Sequence, residues 1–184
     1  MKRIFDLFFV FFGFFIFFIP MVIIYILVLI TSKGPVIYWS DRIGYNNKKF
    51  RMPKFRSMHI NAPEVATHLL KNPDKFYTPI GKFLRYYNLD ELPQLWSILI
   101  GDMSFVGPRP ALFNQYHLIK LRKKYGVDKL MPGLTGWSQV NGRDKLSIKQ
   151  KVSFDFEYKL NCTILFDIKV LFLTLFMFFK KETK

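Results

Sequence analysis

Two adjacent carboxylates stand just ahead of an apolar run, in Asn88-Leu89-Asp90-Glu91-Leu92-Pro93-Gln94-Leu95-Trp96. Proline is tolerated in the first turn of a helix, so Pro93 places Asp90 and Glu91 at or just inside a helix N-terminus. The macrodipole and free N–H groups there favour ionised carboxylates. Neighbours on a helix point about 100° apart, so one carboxylate can attack phosphorus while the other orients it or helps to hold a divalent metal. An ordinary acidic cap would look the same, and the pair alone does not decide the chemistry.

The neighbouring motifs weigh more together than singly. Ser104-Phe105-Val106-Gly107-Pro108-Arg109-Pro110 sets Arg109 in a stiff frame between two prolines, which suits bidentate phosphate recognition. Lys54-Phe55-Arg56 throws both cations to one face if it is a strand. Pro132-Gly133-Leu134-Thr135-Gly136-Trp137, followed by Asn141-Gly142-Arg143-Asp144, is a glycine-rich loop able to approach a sugar or phosphate, with a further cation behind it. Carboxylates among several cations are what phosphoryl transfer between anionic substrates needs. No dinucleotide-binding or P-loop glycine pattern occurs, so phosphates fall to Arg, Lys and backbone groups. The three histidines (His59, His68, His117) are isolated, which leaves no zinc-type cluster, and the single Cys162 excludes an internal disulfide. Cys162 has no activating base near it in sequence and reads as structural.

The elements that must position these groups belong to one α+β domain, mostly helical, of 184 residues. Short strands are expected at Val36–Trp39 and Lys54–Met58. Helices are expected at Ala62–Lys71, Pro79–Tyr86, Glu91–Ile100 and Leu112–Tyr125. The chain is 51% hydrophobic and holds 22 Phe, an aromatic load that points to partial cover by lipid. Its net charge of +15 attracts polyanions: nucleic acid, anionic headgroups or phosphorylated substrates. No nucleic-acid-binding motif is evident.

Residues 1–31 form the first segment, and Ile4–Ile30 is apolar apart from Asp6. As a straight helix it would reach about 40 Å against a hydrocarbon core of about 30 Å. Its length favours a spanning helix. Pro20 calls for a kink in mid-run, and Lys2-Arg3 and the basic remainder both favour the cytoplasmic side, so a helix that bends near Pro20 and returns fits equally well. The stretch 164–179, interrupted by Asp167 and Lys169, fits an interfacial helix.

Four blocks, Lys54–Met58, Leu89–Gln94, Gly101–Pro110 and Pro132–Arg143, resemble in order the signature blocks of the monotopic phosphoglycosyl transferases, the bacterial sugar transferases that begin lipid-linked glycan assembly. The resemblance covers nearly the whole chain. It implies a catalytic domain over 32–184 and a re-entrant membrane helix broken at Pro20, where Ile19 stands in place of the Ser common in short relatives. It implies Asp90 as a nucleophile on a UDP-sugar, with UMP released and undecaprenyl phosphate as acceptor, and Glu91 as its catalytic partner. Mg²⁺ is implied as cofactor, with Asp90 its protein ligand. Arg109 is implied at the nucleotide, with Lys54, Arg56, Arg85 and Arg143 as phosphate-binding candidates and Asp155 as a further substrate-side residue. The implied setting is the cytoplasmic face of a bacterial inner membrane, with the phospholipid bilayer and downstream glycosyltransferases as partners. Similarity to the short, bacillosamine-phosphate type suggests an N-acetylated or diacetamido sugar. Two other classes stay open: a basic membrane-surface binding protein without catalysis, and a conventional glycosyltransferase that releases UDP.

Overall fold

In the computed structural model, which describes residues 1–63 and 72–182, the chain begins with a single long helix, α1 (Lys2–Thr31). Helical structure continues through Pro20, where the sequence leads to an expected kink. A proline inside a helix removes one backbone donor and favours a bend there. By length and apolar composition α1 is able to cross a membrane. Only a narrow stripe of it is buried: Asp6, Val10, Gly13, Ile24 and Val28. Phe8, Phe11, Phe15, Phe18 and Ile23 are exposed on its other sides.

That buried stripe is held by the rest of the chain at both ends. Near the start, Asp6 Oδ1 accepts from Ser104 Oγ and the Phe105 N–H, each at 3.0 Å. Arg3 donates to the carbonyls of Ile98 and Leu99, and Lys2 pairs with the buried Asp167. Near the finish, Ile24 and Val28 pack with Val36, Phe55 and Leu84. The Ser32 carbonyl and hydroxyl then each accept from Arg56 Nη2 at 2.8 Å.

β1 (Ile37–Ile43) and β2 (Lys49–Phe55) form an antiparallel hairpin. Its turn uses Asn46 and Asn47 at positive φ, a conformation asparagine tolerates better than most residues. Both strands are longer than expected, and Arg56–Met58 lie beyond β2. α2 (Gly81–Tyr86) falls inside its predicted range. The expected helix from Glu91 is instead a 3-10 turn, Leu89–Glu91, followed by α3 (Gln94–Ile100) with Pro93 immediately before it. Next come β3 (Ser104–Val106), β4 (Ala111–Leu112), which pairs with β1, and α4 (Tyr116–Lys124). β5 (Gly133–Thr135), α5 (Trp137–Val140), α6 (Ile148–Leu160) and α7 (Ile164–Glu182) complete the chain. A capping box of Ser147 and Gln150 starts α6. The expected helix at Ala62–Lys71 falls mostly outside the described residues.

Asp167, read from sequence as a break in an apolar run, is 1% exposed and accepts from the Tyr158 hydroxyl at 2.6 Å. It is the counter-charge of Lys2, so α7 anchors the start of α1. Apart from Lys169, the exposed side chains described on α7 are apolar, among them Leu165, Ile168, Phe172, Leu175 and Phe176.

The glycines of Pro132–Gly136 have a different task from the one expected. β5 pairs in parallel with β3, Ser104 opposite Gly133 and Val106 opposite Thr135. A Cβ on Gly133 would lie 2.1 Å from the Gly107 nitrogen, and one on Gly136 2.0 Å from the Gly107 oxygen. These glycines let two backbones touch. Gly136→Ala is therefore expected to lower stability by roughly 3 kcal/mol through overpacking, measured by thermal unfolding in detergent micelles. An unchanged midpoint would mean that the Gly107 segment yields.

Candidate active site

The hairpin, the 89–91 turn, the Arg109–Leu112 segment and the 138–144 stretch enclose a cleft of about 670 Å³. Lys54, Arg56, Arg85, Asp90, Glu91, Arg109 and Arg143 all line it. Its described lining holds nine Lys and Arg side chains against three carboxylates, Asp90, Glu91 and Asp144. An excess of cations on that scale selects an anionic occupant.

At the cleft floor the two adjacent carboxylates differ sharply. Glu91 Oε1 accepts from Lys54 Nζ and from Arg109 Nη2, each at 2.7 Å, and Arg109 Nη1 approaches Oε2 at 3.5 Å. Burial alone would raise the Glu91 pKa, but the charges and hydrogen bonds of Arg109 and Lys54 outweigh it and hold the carboxyl well below its usual range. Asp90 is 5% exposed, and no donor among the described residues closes on its carboxylate. Burial pushes its pKa up; Lys54 opposes that shift and the charge on Glu91 adds to it. Two neighbouring carboxylates whose environments push them apart are suited to different roles.

Local backbone explains the split. Asn88 sits in the left-handed region at φ 54°, which turns the chain tightly into the 3-10 segment. Its Oδ1 accepts from Arg143 Nη2 at 3.0 Å, so Arg143 braces the turn as well as facing the cleft. Arg85 lies over the Tyr77 ring at 5.8 Å, and its charge reaches Asp90. Arg56 is buried against Ser32, and among the described residues its Nε and Nη1 find no partner. Lys54 and Arg56 both line the cleft, but they reach different neighbours and do not form one wall.

Asp155 is not among the residues lining the cleft. It is 1% exposed in α6 and bound to Arg122 and Ser138, both of which do line it. Pro20, inside α1, is not among the residues lining the cleft.

Sequence reasoning missed two arginines. Arg42 on β1 donates to Ser40 Oγ at 3.0 Å and to the Pro110 carbonyl at 3.3 Å. Burial, then the charge of Arg109, pushes its pKa down to about 10. The adjacent Asp41 suggests a partner, but strand neighbours face opposite sides, and Asp41 pairs with Lys49 at 2.8 Å. Arg122 sits in Arg122-Lys123-Lys124, which reads as a solvated basic helix end. Its four-residue spacing from the buried Leu118 was the available signal.

Comparison with known proteins gives a family model described as bacterial sugar transferase, matching residues 1–181. The UDP-glucose:undecaprenyl-phosphate glucose-1-phosphate transferase of Escherichia coli (strain K12) is 41% identical over 157 residues, covering 81% of this chain and 34% of its own length. The undecaprenyl-phosphate galactose phosphotransferase of Salmonella typhimurium is 36% identical over 95% of this chain and 39% of its own length. The exopolysaccharide production protein ExoY of Sinorhizobium fredii is 33% identical over 95% of this chain and 83% of its own. The chain thus spans little more than a third of the first two relatives.

Proposed function

The chain belongs to the bacterial sugar transferase family, and from that premise we propose that it moves a sugar 1-phosphate from a UDP-sugar to undecaprenyl phosphate, releasing UMP. One observation carries the mechanism: at the floor of a cationic cleft, Glu91 is clamped by two cations, while Asp90 beside it has no hydrogen-bond donor among the described residues. A carboxylate free of hydrogen bonds keeps its lone pairs for attack.

In the first half-reaction an Asp90 oxygen bonds to the β-phosphorus. The bond from that phosphorus to the oxygen bridging the two phosphates breaks, and UMP leaves with the bridging oxygen. In the second, a phosphate oxygen of undecaprenyl phosphate attacks the same phosphorus, and the Asp90 carboxylate departs intact. Arg109 and Lys54, fixed by Glu91, present positive charge where the diphosphate must lie. Arg42 adds a third cation tied to the same Pro110 segment. Mg²⁺, when bound, would neutralise diphosphate charge. Among the described residues no three-ligand cluster of His, Cys, Asp or Glu exists, so Asp90 would hold the ion together with substrate oxygens and water, as Mg²⁺ commonly accepts.

Residues 1–31 serve as the membrane segment and 32–184 as the catalytic unit. Both ends of α1 grip the same body, through Lys2, Arg3 and Asp6 at one end and Ser32 at the other. A straight crossing would put about 30 Å of hydrocarbon between those contacts. This supports a helix that enters and returns on one side, with the catalytic unit on the cytoplasmic face of the inner membrane. The product, a polyprenol diphosphate sugar, is a substrate for downstream glycosyltransferases.

The test is UMP release from a panel of UDP-sugars, with and without undecaprenyl phosphate. Turnover that requires the lipid, with near-stoichiometric UMP in its absence, is expected, and the panel identifies the sugar. UDP in place of UMP would mean ordinary glycosyl transfer. The pH profile is a second check. Asp90 must be ionised to attack and its pKa is raised, so activity should fall on acidification at a pH above the ordinary aspartate range. An acid limb at or below that range would contradict Asp90 as the attacking group.

A further inference from the structure

We infer that Asp155, through Arg122, is a positioning group for Arg109 and does not itself touch substrate; the catalytic part of this inference rests on the function proposed above. The backbone of the Pro108-Arg109-Pro110 frame is the starting point. Prolines have no N–H, so this segment is held mainly through its carbonyls. All three are taken, each by a different element. The Pro108 carbonyl accepts from the Gly133 N–H at 3.0 Å. The Arg109 carbonyl accepts from Arg122 Nη1 at 2.7 Å, and the Pro110 carbonyl from Arg42 Nη1 at 3.3 Å.

Arg122 is aimed by Asp155. Its Nε and Nη2 donate to Asp155 Oδ2 at 2.9 and 2.7 Å, and Ser138 Oγ donates to Oδ1 at 2.8 Å. Both oxygens of Asp155 are thus engaged by protein donors, and the residue is 1% exposed behind the cleft wall. For stability alone a buried ion pair is often no better than well-packed apolar residues. What the guanidinium adds is direction: one planar group binds Asp155 along one edge and the Arg109 carbonyl at its other nitrogen. The line then runs from Asp155 through Arg122 to the Arg109 backbone, and from the Arg109 side chain to Glu91. A lysine at 122 keeps the charge but cannot make both contacts in fixed geometry.

The experiment uses the full chain in lipid nanodiscs with Arg122→Lys, Asp155→Asn and the milder Ser138→Ala, each also combined with Arg109→Gln. UMP release gives kcat and KM, and hydrogen exchange follows the backbone over residues 103–112. In the wild-type background Arg122→Lys and Asp155→Asn should lower kcat by roughly 10–100-fold through misplacement, and Ser138→Ala by less. In the Arg109→Gln background they should cost little more, since the group they aim is gone. Exchange at residues 103–107 and 111–112 should quicken in the single variants. Losses that multiply fully in the double variants would overturn the inference, as would wild-type exchange in that segment for Asp155→Asn. A wild-type chain that releases no UMP would sink the proposed function, while the exchange measurement would still decide whether Asp155 holds the segment.

Discussion

Asp90→Asn is expected to cut UMP release by roughly 10³-fold or more while leaving the protein as stable as before, or slightly more so. The amide matches the carboxylate in shape and cannot form the covalent bond to phosphorus. The stability half follows from the environment. Asp90 is buried with no donor among the described residues, and its pKa is raised by burial. A group whose folded pKa lies above its unfolded value destabilises the fold once pH exceeds both, because ionisation is easier in the unfolded chain. Replacing it with a neutral side chain removes that cost. The checks are single-turnover UMP release and thermal unfolding at neutral pH. Turnover retained by the variant would mean that another group attacks.

Glu91→Gln should show the opposite balance. Removing one partner of a buried ion pair leaves charge uncompensated, and here a single carboxylate serves both Lys54 and Arg109. A loss of about 3 kcal/mol is expected. Part of the full penalty is returned because burial already pushes the Lys54 pKa down, so this amine sheds its proton more readily once Glu91 is gone. The pH dependence has a definite sign. The folded pKa of Glu91 is depressed, so its contribution is complete above the unfolded carboxylate pKa and is lost as pH falls through the folded value. The stability gap between wild type and variant should therefore close only below the ordinary glutamate range, as read from unfolding midpoints across pH. A gap independent of pH would show that shape, not charge, holds Glu91 in place. Activity should fall as well, since Arg109 loses the carboxylate that aims its side chain.

Two neighbouring acids thus invite mutations with opposite effects on stability, although the sequence presents them as equals. Their types and position at a turn were legible, because Pro93 and the apolar run after it mark a local boundary. Which of them is paired was not. The partners of Glu91 lie 37 and 18 residues away, and no local spacing encodes which side chain they reach.

The same division runs through the molecule. Order of motifs, the apolar helix and the stiff Pro-Arg-Pro frame were readable from the sequence, since composition, periodicity and proline chemistry act over a few residues. The glycines of Pro132–Gly136 were readable as a place of close approach, but only the fold shows that Gly107 is what approaches them. Arg122 and Lys123 look alike in a basic run; packing of α4 against α6 buries the first and gives it Asp155. Asp167 looks like a flaw in an apolar helix until Lys2, 165 residues away, reaches it. Local conformation follows from neighbouring residues, whereas the pairing of buried charges follows from which surfaces the chain brings together. The cost of leaving any such charge unpaired is what makes that tertiary choice definite.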